Sequence, residues 1–160
     1  MALKSYVEVT GLQQGKFKGG SIQKGREGWT EINAYNHEIA TPYDPVSAAA
    51  TGRKQHHPLT IWKDIDQSTI SFFKALINQE QLTSVVLKNF SPSKLGGAGV
   101  ETLTYTITLT NARIISIKSE MLNNKNPELS RYERTEEISF VYEKIDFLWN
   151  VGNKSATDSW

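Results

Sequence analysis

The chain has 160 residues, a length that predicts one domain spanning 1–160, with 18 basic against 17 acidic residues and no cysteine. A formal net charge of +1 offers no pull on nucleic acid or an anionic membrane, and the missing thiols exclude disulfides and cysteine-ligated metals. Folding at this size removes roughly 70% of the extended surface from water, so a proper core is within reach.

Leu3 to Leu12 alternates, with Leu3, Ser5, Val7 and Val9 facing Lys4, Tyr6, Glu8 and Thr10, and predicts a half-buried strand. Glu8 interrupts any apolar signal-peptide core, and no apolar run approaches the length of a membrane span, so the chain is expected to be made in the cytoplasm. Gly11, Gly15, Gly19 and Gly20 mark a mobile turn region. Gly20 and Gly25 have the spacing of a phosphate-binding loop, but Arg26 and Glu27 stand where Lys and Ser or Thr are needed. A short strand and a glycine turn are expected instead.

A strand is expected from Gly28 to Ile39, followed by an arm, Thr41 to His57, that reads as neither helix nor strand. Pro42 and Pro45 fix two φ angles and remove two donors, and Gly52 is a further breaker. An irregular connection longer than about 12–15 residues is uncommon in a compact domain and usually functional or disordered. With only Tyr43, Val46 and three alanines to bury, this arm is expected to be flexible when free and to find its partner on another chain. Its candidate contact residues are Tyr43, Asp44, Val46, Ser47, Ala48, Thr51, Arg53, Lys54 and His56.

His57 to Ile65 reads as the next strand, and Asp66 or Ser68 as the cap of a helix from Thr69 to Gln79. Ile70, Phe73, Leu76 and Ile77 form its apolar stripe, expected in the core. Strands follow over Thr83–Phe90 and Val100–Thr110, the latter with Leu103, Tyr105, Ile107 and Leu109 on one face and Thr102, Thr104, Thr106, Thr108 and Thr110 on the other. That threonine face suits a wet surface. Asn111-Ala112 is expected to turn the chain into another strand, Arg113 to Met121, and Thr135 to Trp149 to form the last long one, before a polar tail. The count predicts a mainly β protein: an antiparallel β-barrel or two packed sheets with one flanking α-helix and a long extended loop. Apolar residues on both faces of several strands imply that the outside is covered too, by the helix or another subunit.

Chemistry-bearing patterns are sparse. His37, His56 and His57 with Glu38 and Asp44 are candidate metal ligands, but adjacent histidines point apart on a strand and no HExxH spacing exists. Neither Ser68 nor Ser119 has a partner base marked in sequence. Two glycosylation sequons, at Asn89 and Asn153, are read as chance. No enzyme activity, metal or cofactor is expected. The competing reading is a small-ligand-binding β-barrel, which needs an apolar hollow interior.

Gly25-Arg26-Glu27-Gly28-Trp29-Thr30-Glu31-Ile32, then Asn36-His37-Glu38-Ile39, a loose arm, and Gly52-Arg53-x-x-His56-x-Pro58 resemble the haemolysin-coregulated protein (Hcp) family. Lys63-Asp64-Ile65-Asp66-x-Ser68 before a helix, Tyr105-x-Ile107-x-Leu109-x-Asn111-Ala112, Glu136-Glu137-Ile138-x-Phe140-x-Tyr142-x-Lys144-Ile145 and Asp158-Ser159-Trp160 continue the likeness in order. Thr69-Ile70 stands where the family often has Pro in the first helical turn. The resemblance implies a homohexamer whose rings stack into the inner tube of the type VI secretion system. It implies sheath, baseplate and VgrG-type spike proteins as partners, small effectors in the lumen, and export through the apparatus without a signal peptide.

Overall fold

The computed structural model describes residues 3–92 and 101–160. The segment 93–100, which links the expected strands Thr83–Phe90 and Val100–Thr110, lies outside the described residues. Twelve strands and one helix form among those described: β1 (Lys4–Gly11), β2 (Gly15–Lys16), β3 (Thr30–Ile32), β4 (Ala34–Asn36), β5 (Ile39–Ala40), β6 (Gln55–His56), β7 (Leu59–Asp64), α1 (Ser68–Ile77), β8 (Leu82–Pro92), β9 (Glu101–Glu120), β10 (Thr135–Val141), β11 (Lys144–Trp149) and β12 (Lys154–Ser159). The main sheet runs β2-β1-β8-β9-β10-β7-β4, with β3 beside β1, β11 beside β9 and β12 beside β11. The expected strand over 28–39 is two short ones, β3 and β4, broken at Asn33. β3 pairs with β1 and β4 with β7, so one bent segment joins strands near opposite ends of the path. Every ladder among the described residues is antiparallel, and the expected mainly β, barrel-like architecture with one flanking helix is present.

Strand β9 departs from expectation. Asn111-Ala112 does not reverse the chain; β9 continues through it for 20 residues. Asn111 adopts φ +52, a left-handed conformation that Asn tolerates better than most residues. A bend there lets residues 101–112 pair with β8 and residues 113–120 pair with β10. The opposing chain breaks at the same level: the expected single strand over 135–149 is β10 and β11, separated by Tyr142 and Glu143. The Asn111 amide donates to the Glu143 carboxylate at 2.9 Å and holds the two breaks together. The polar tail, to which no element is assigned from sequence, forms β12 on the edge of β11 through a turn in which Gly152 and Asn153 take positive φ.

The glycine-rich segment is likewise ordered rather than mobile. Phe17 is buried edge-on against Phe72 of the helix. The Gly19 N–H donates to the Gly28 carbonyl at 2.7 Å and the Ser21 N–H to the Trp29 carbonyl at 3.0 Å. Residues 20–27 form no strand; they fold as a loop over the outer face of β1, where Tyr6 is fully buried beneath Trp29 and Phe90. Arg26 lies 3.8 Å over the Phe90 ring and pairs with Glu101 at 2.8 Å. The second apolar face is therefore covered by the chain's own loop.

The helix is rotated from the expected orientation. Ser68, Thr69, Phe72 and Ala75 face inward, whereas Ile70 and Ile77 are 61% and 75% exposed. A buried charge explains the rotation. Lys63 of β7 places its ammonium 2.5 Å from Glu136 Oε1 of β10, 3.1 Å from Asp66 Oδ1 and 2.8 Å from the Asp64 carbonyl. The Thr69 hydroxyl donates to the same Glu136 oxygen at 2.9 Å. Asp66 Oδ1 accepts the Ser68 N–H at 2.8 Å just ahead of the helix; the N-cap position itself is Gln67, not the expected Asp66 or Ser68, and its side chain makes no capping bond. These bonds draw Ser68 and Thr69 inward, and Phe72 follows onto Phe140 and Phe17.

Removing one member of a buried pair strands the other, at about 3–5 kcal/mol, whereas replacing both with apolar side chains is often tolerated. Lys63→Met is therefore expected to lower the unfolding free energy by about that amount in urea titrations, and Lys63→Met with Glu136→Leu by clearly less. Equal losses in the single and double variants would refute the pairing.

Candidate functional site

The arm is not irregular. Ile39 and Ala40 pair with His56 and Gln55, and Tyr43 bridges Ala50, so residues 39–56 form a two-stranded ribbon separate from the main sheet. The prolines fit because the ladder avoids them as donors: Pro42 serves as an acceptor, taking the Thr51 N–H at 2.9 Å. Asp44 organises the tip. Its carboxylate takes the Val46 N–H at 2.9 Å and the Ser47 hydroxyl at 2.8 Å, and its backbone carbonyl takes the Ala48 N–H. Ala48 reaches φ +60 to close the turn. The Val46 N–H bond, followed by the Ser47 hydroxyl, holds the Asp44 carboxyl below the usual carboxylate range.

The candidate residues fall into two groups. Tyr43, Asp44, Val46, Ser47, Ala48, Thr51 and Arg53 occupy the solvent-facing part of the ribbon, with Tyr43 67% and Val46 94% exposed. Lys54 and His56 sit at its base and turn toward the barrel. Lys54 donates to Asp158 Oδ1 of β12 at 2.6 Å, and His56 Nε2 lies 2.8 Å from Asp158 Oδ2. The other His56 nitrogen, Nδ1, lies 2.8 Å from the hydroxyl of Tyr142, and that hydroxyl is 2.7 Å from His37 Nε2. Trp160 stacks on His56 and meets Tyr142 edge-on. The His56 side chain is only 2% exposed, while the neighbouring His57 points to solvent.

Four anchoring residues, His37, Tyr142, Asp158 and Trp160, had no role assigned from sequence except His37 as a possible ligand. His37 and His56 do converge, but on a phenol oxygen; among the described residues no group of three or more His, Cys, Asp or Glu side chains is placed to hold a metal. Burial, and after it the Asp158 charge, pushes the Tyr142 hydroxyl up to about 12. The bond from Lys54, with one from His56, holds the Asp158 carboxyl low. Burial, then His56 and His57, holds His37 below its ordinary 6.5. A base with a depressed folded value favours the folded state while neutral. Its contribution is whole above the ordinary value and is lost as pH falls from there toward the depressed one.

The barrel face carrying the threonines is the other candidate surface. Thr108 lies opposite Val86 and Asp146, and Thr110 opposite Ser84 and Lys144. Thr106 is nearly buried, bonded to Asn150, while Thr108 and Thr110 are half-exposed. Charges on this face are matched: Glu8 pairs with Lys88 at 2.8 Å and Lys16 at 3.3 Å, and Lys144 with Asp146 at 3.8 Å.

The ribbon stands apart from the main sheet, β12 among the described residues has a ladder partner only in β11, and the threonine face is polar. Residues 6–149 match the family described as "Type VI secretion system effector, Hcp". A Pseudomonas aeruginosa protein described as "Major exported protein" is 31% identical, with 100% of this chain and 96% of that protein covered. The solved Hcp1 protein of E. coli EAEC 042 aligns over 99% of both chains at 25% identity with a TM-score of 0.86. The secreted protein Hcp3 of Pseudomonas aeruginosa aligns over 99% of both at 27% identity with a TM-score of 0.79. These findings place the fold among type VI secretion tube proteins. The chain belongs to the Hcp family.

Tyr142→Phe deletes the hydroxyl shared by two imidazoles and leaves half-buried ring nitrogens without a partner, at about 1–3 kcal/mol. The expected result is a lower urea midpoint with an unchanged far-UV circular dichroism spectrum. An unaltered midpoint would show that the hydroxyl holds nothing.

Proposed function

We propose that six copies of the chain close into a head-to-tail ring and that rings stack into the inner tube of the type VI apparatus. Family membership across residues 6–149 is the observation that carries this. A heterologous interface closes when the same rotation repeats, and it needs two different surfaces on each subunit. The outer edge of β12, which among the described residues has a ladder partner only in β11, offers unpaired backbone groups for one of them. The ribbon supplies a second contact: Tyr43, Val46, Ser47, Ala48, Thr51 and Arg53 reach across to the next ring or the adjacent subunit, while Lys54 and His56 fix the base from which they project. Val46 at 94% exposure is an apolar side chain with no use inside its own barrel.

The threonine-bearing face with its matched charges is the lumen lining in this reading. Such a wet, neutral wall suits small effectors carried without tight binding. Sheath, baseplate and VgrG-type spike proteins are the remaining partners, and the tube leaves the cell through the apparatus itself. The "Major exported protein" name of a 31% identical relative supports export. The role is structural, with no reaction catalysed. A small-ligand-binding barrel is disfavoured because the interior is filled: Leu59, Ile61, Leu87, Leu109, Ile138 and Phe140 pack there with no exposed surface.

Deleting residues 46–52 is expected to leave the barrel folded and the rings countable as hexamers by native mass spectrometry, while stacks in electron micrographs shorten or vanish. Full-length stacks from the deleted chain would remove the ribbon from the stacking contact, and a monomer at every concentration in the unaltered chain would remove the ring.

A further inference from the structure

The run Asp158, His56, Tyr142, His37 is a continuous chain of hydrogen bonds with links of 2.8, 2.8 and 2.7 Å. It ties the base of the ribbon to the barrel: His37 precedes β5, His56 lies in β6, Tyr142 sits in the β10–β11 break and Asp158 in β12. The proton count along it sets what it tolerates. With both imidazoles neutral, His56 Nε2–H donates to Asp158, the Tyr142 O–H donates to His56 Nδ1, and His37 Nε2–H donates to the Tyr142 oxygen. Every donor has an acceptor. With His56 charged, it donates from both nitrogens, and the Tyr142 O–H turns to the bare Nε2 of neutral His37. Again every donor along the run is satisfied, with the His37 hydrogen moved to Nδ1, outside the run. With both charged, each ring aims an N–H at the same phenol oxygen and the Tyr142 hydrogen has no acceptor. Tyr142 cannot relieve this by ionising, because its hydroxyl is pushed up to about 12.

The surroundings do not accommodate the second charge. The titratable groups facing the two rings are Asp158 from β12, Lys54 and His57 from the ribbon, and Tyr142 from the β10–β11 break. Phe147 of β11 and Trp160 contribute rings, and Arg113 and Glu143 line one pocket with Tyr142 and Trp160. Glu38 is exposed, and its carbonyl takes the His57 N–H at 3.0 Å. The carboxylate that bonds an imidazole among the described residues is Asp158, on His56, and it is already bonded to Lys54. We propose that the His37–Tyr142–His56 chain is a proton-operated latch between the ribbon and the barrel, closed while at most one imidazole is charged and opened when both are. At neutral pH the latch holds the ribbon at a fixed angle to the barrel; in mildly acidic surroundings the base comes free. Its consequence for tubes, shorter stacks at acid pH, rests on the ribbon reading above.

The cysteine-free chain allows one label at the exposed tip. Ala49→Cys carrying a nitroxide is measured by electron paramagnetic resonance, diluted until rings no longer stack. The label is expected to stay slow down to about pH 7 and to gain mobility several-fold by about pH 5, reversibly, with the far-UV spectrum constant. In the same background His37→Gln, which keeps a hydrogen-bonding amide but takes no charge, should abolish the pH response. Tyr142→Phe should give the mobile signal already at about pH 8. A label that stays slow at about pH 5, the same response in His37→Gln, or loss of the whole far-UV signal over that range would each overturn the latch. Stack length is scored separately by electron microscopy at both pH values; a latch that opens without shortening stacks sinks the stacking reading and leaves the latch standing.

Discussion

Strand β9 belongs to three ladders, with β8, β11 and β10, and the bend that divides them falls at one residue. Asn111 takes a left-handed φ of +52; before it the strand lies between β8 and β11, and beyond it β10 is its ladder partner. The neighbouring chain must break at the same level, and it does so at Tyr142 and Glu143. That break decides where Tyr142 sits. A strand running unbroken from Thr135 to Trp149 would send alternate side chains to fixed faces and would not free Tyr142 to meet two histidines from a distant ribbon. The geometry of the anchor is thus a consequence of how the barrel turns its corner.

Two polar clusters tie together elements that hydrophobic packing alone would leave free to slide. The Lys63–Glu136 pair links β7, β10 and the start of the helix, and sets which way the helix rolls. The His56–Tyr142 cluster links the ribbon to β10, β11 and β12. Burial of side chains such as Phe72 and Phe140 supplies about 1.5–3 kcal/mol each, but it is non-directional. Hydrogen-bonded charges add direction, since a buried ion without its partner is costly. The exposed Ile70 and Ile77 show the outcome of that competition: the polar contacts of Ser68 and Thr69 win the inward face, and two isoleucines are left in water.

This division suits a subunit of a large assembly. Hydrogen bonds tie the base of the ribbon to the barrel, while the residues it displays, Tyr43 and Val46 foremost, remain unburied within one copy. The charge-matched threonine rows ask for no specific ligand. The glycine-rich loop over Tyr6 shields one apolar face, so that association need not be driven by indiscriminate exposed surface.

The alternating pattern of the strands, the single helix, the breakers in the arm and the ordered motifs that resemble the Hcp family were all legible in the sequence. They depend on local periodicity and on residue types in order. What stayed hidden was every feature that depends on partners far apart in the chain. The helix face was misread because Ile70, Phe73 and Ile77 outscore Ser68 and Thr69 on hydrophobicity, and only Glu136, 67 residues from Thr69, reverses the choice. β12 was missed because Lys154–Ser159 has no apolar alternation; it is a strand because β11 lies beside it. His56 and Asp158, 102 residues apart, have no local signature of their meeting. Periodicity reports which residues avoid water, and it carries no information about which distant polar atom will claim a side chain once the chain has closed on itself.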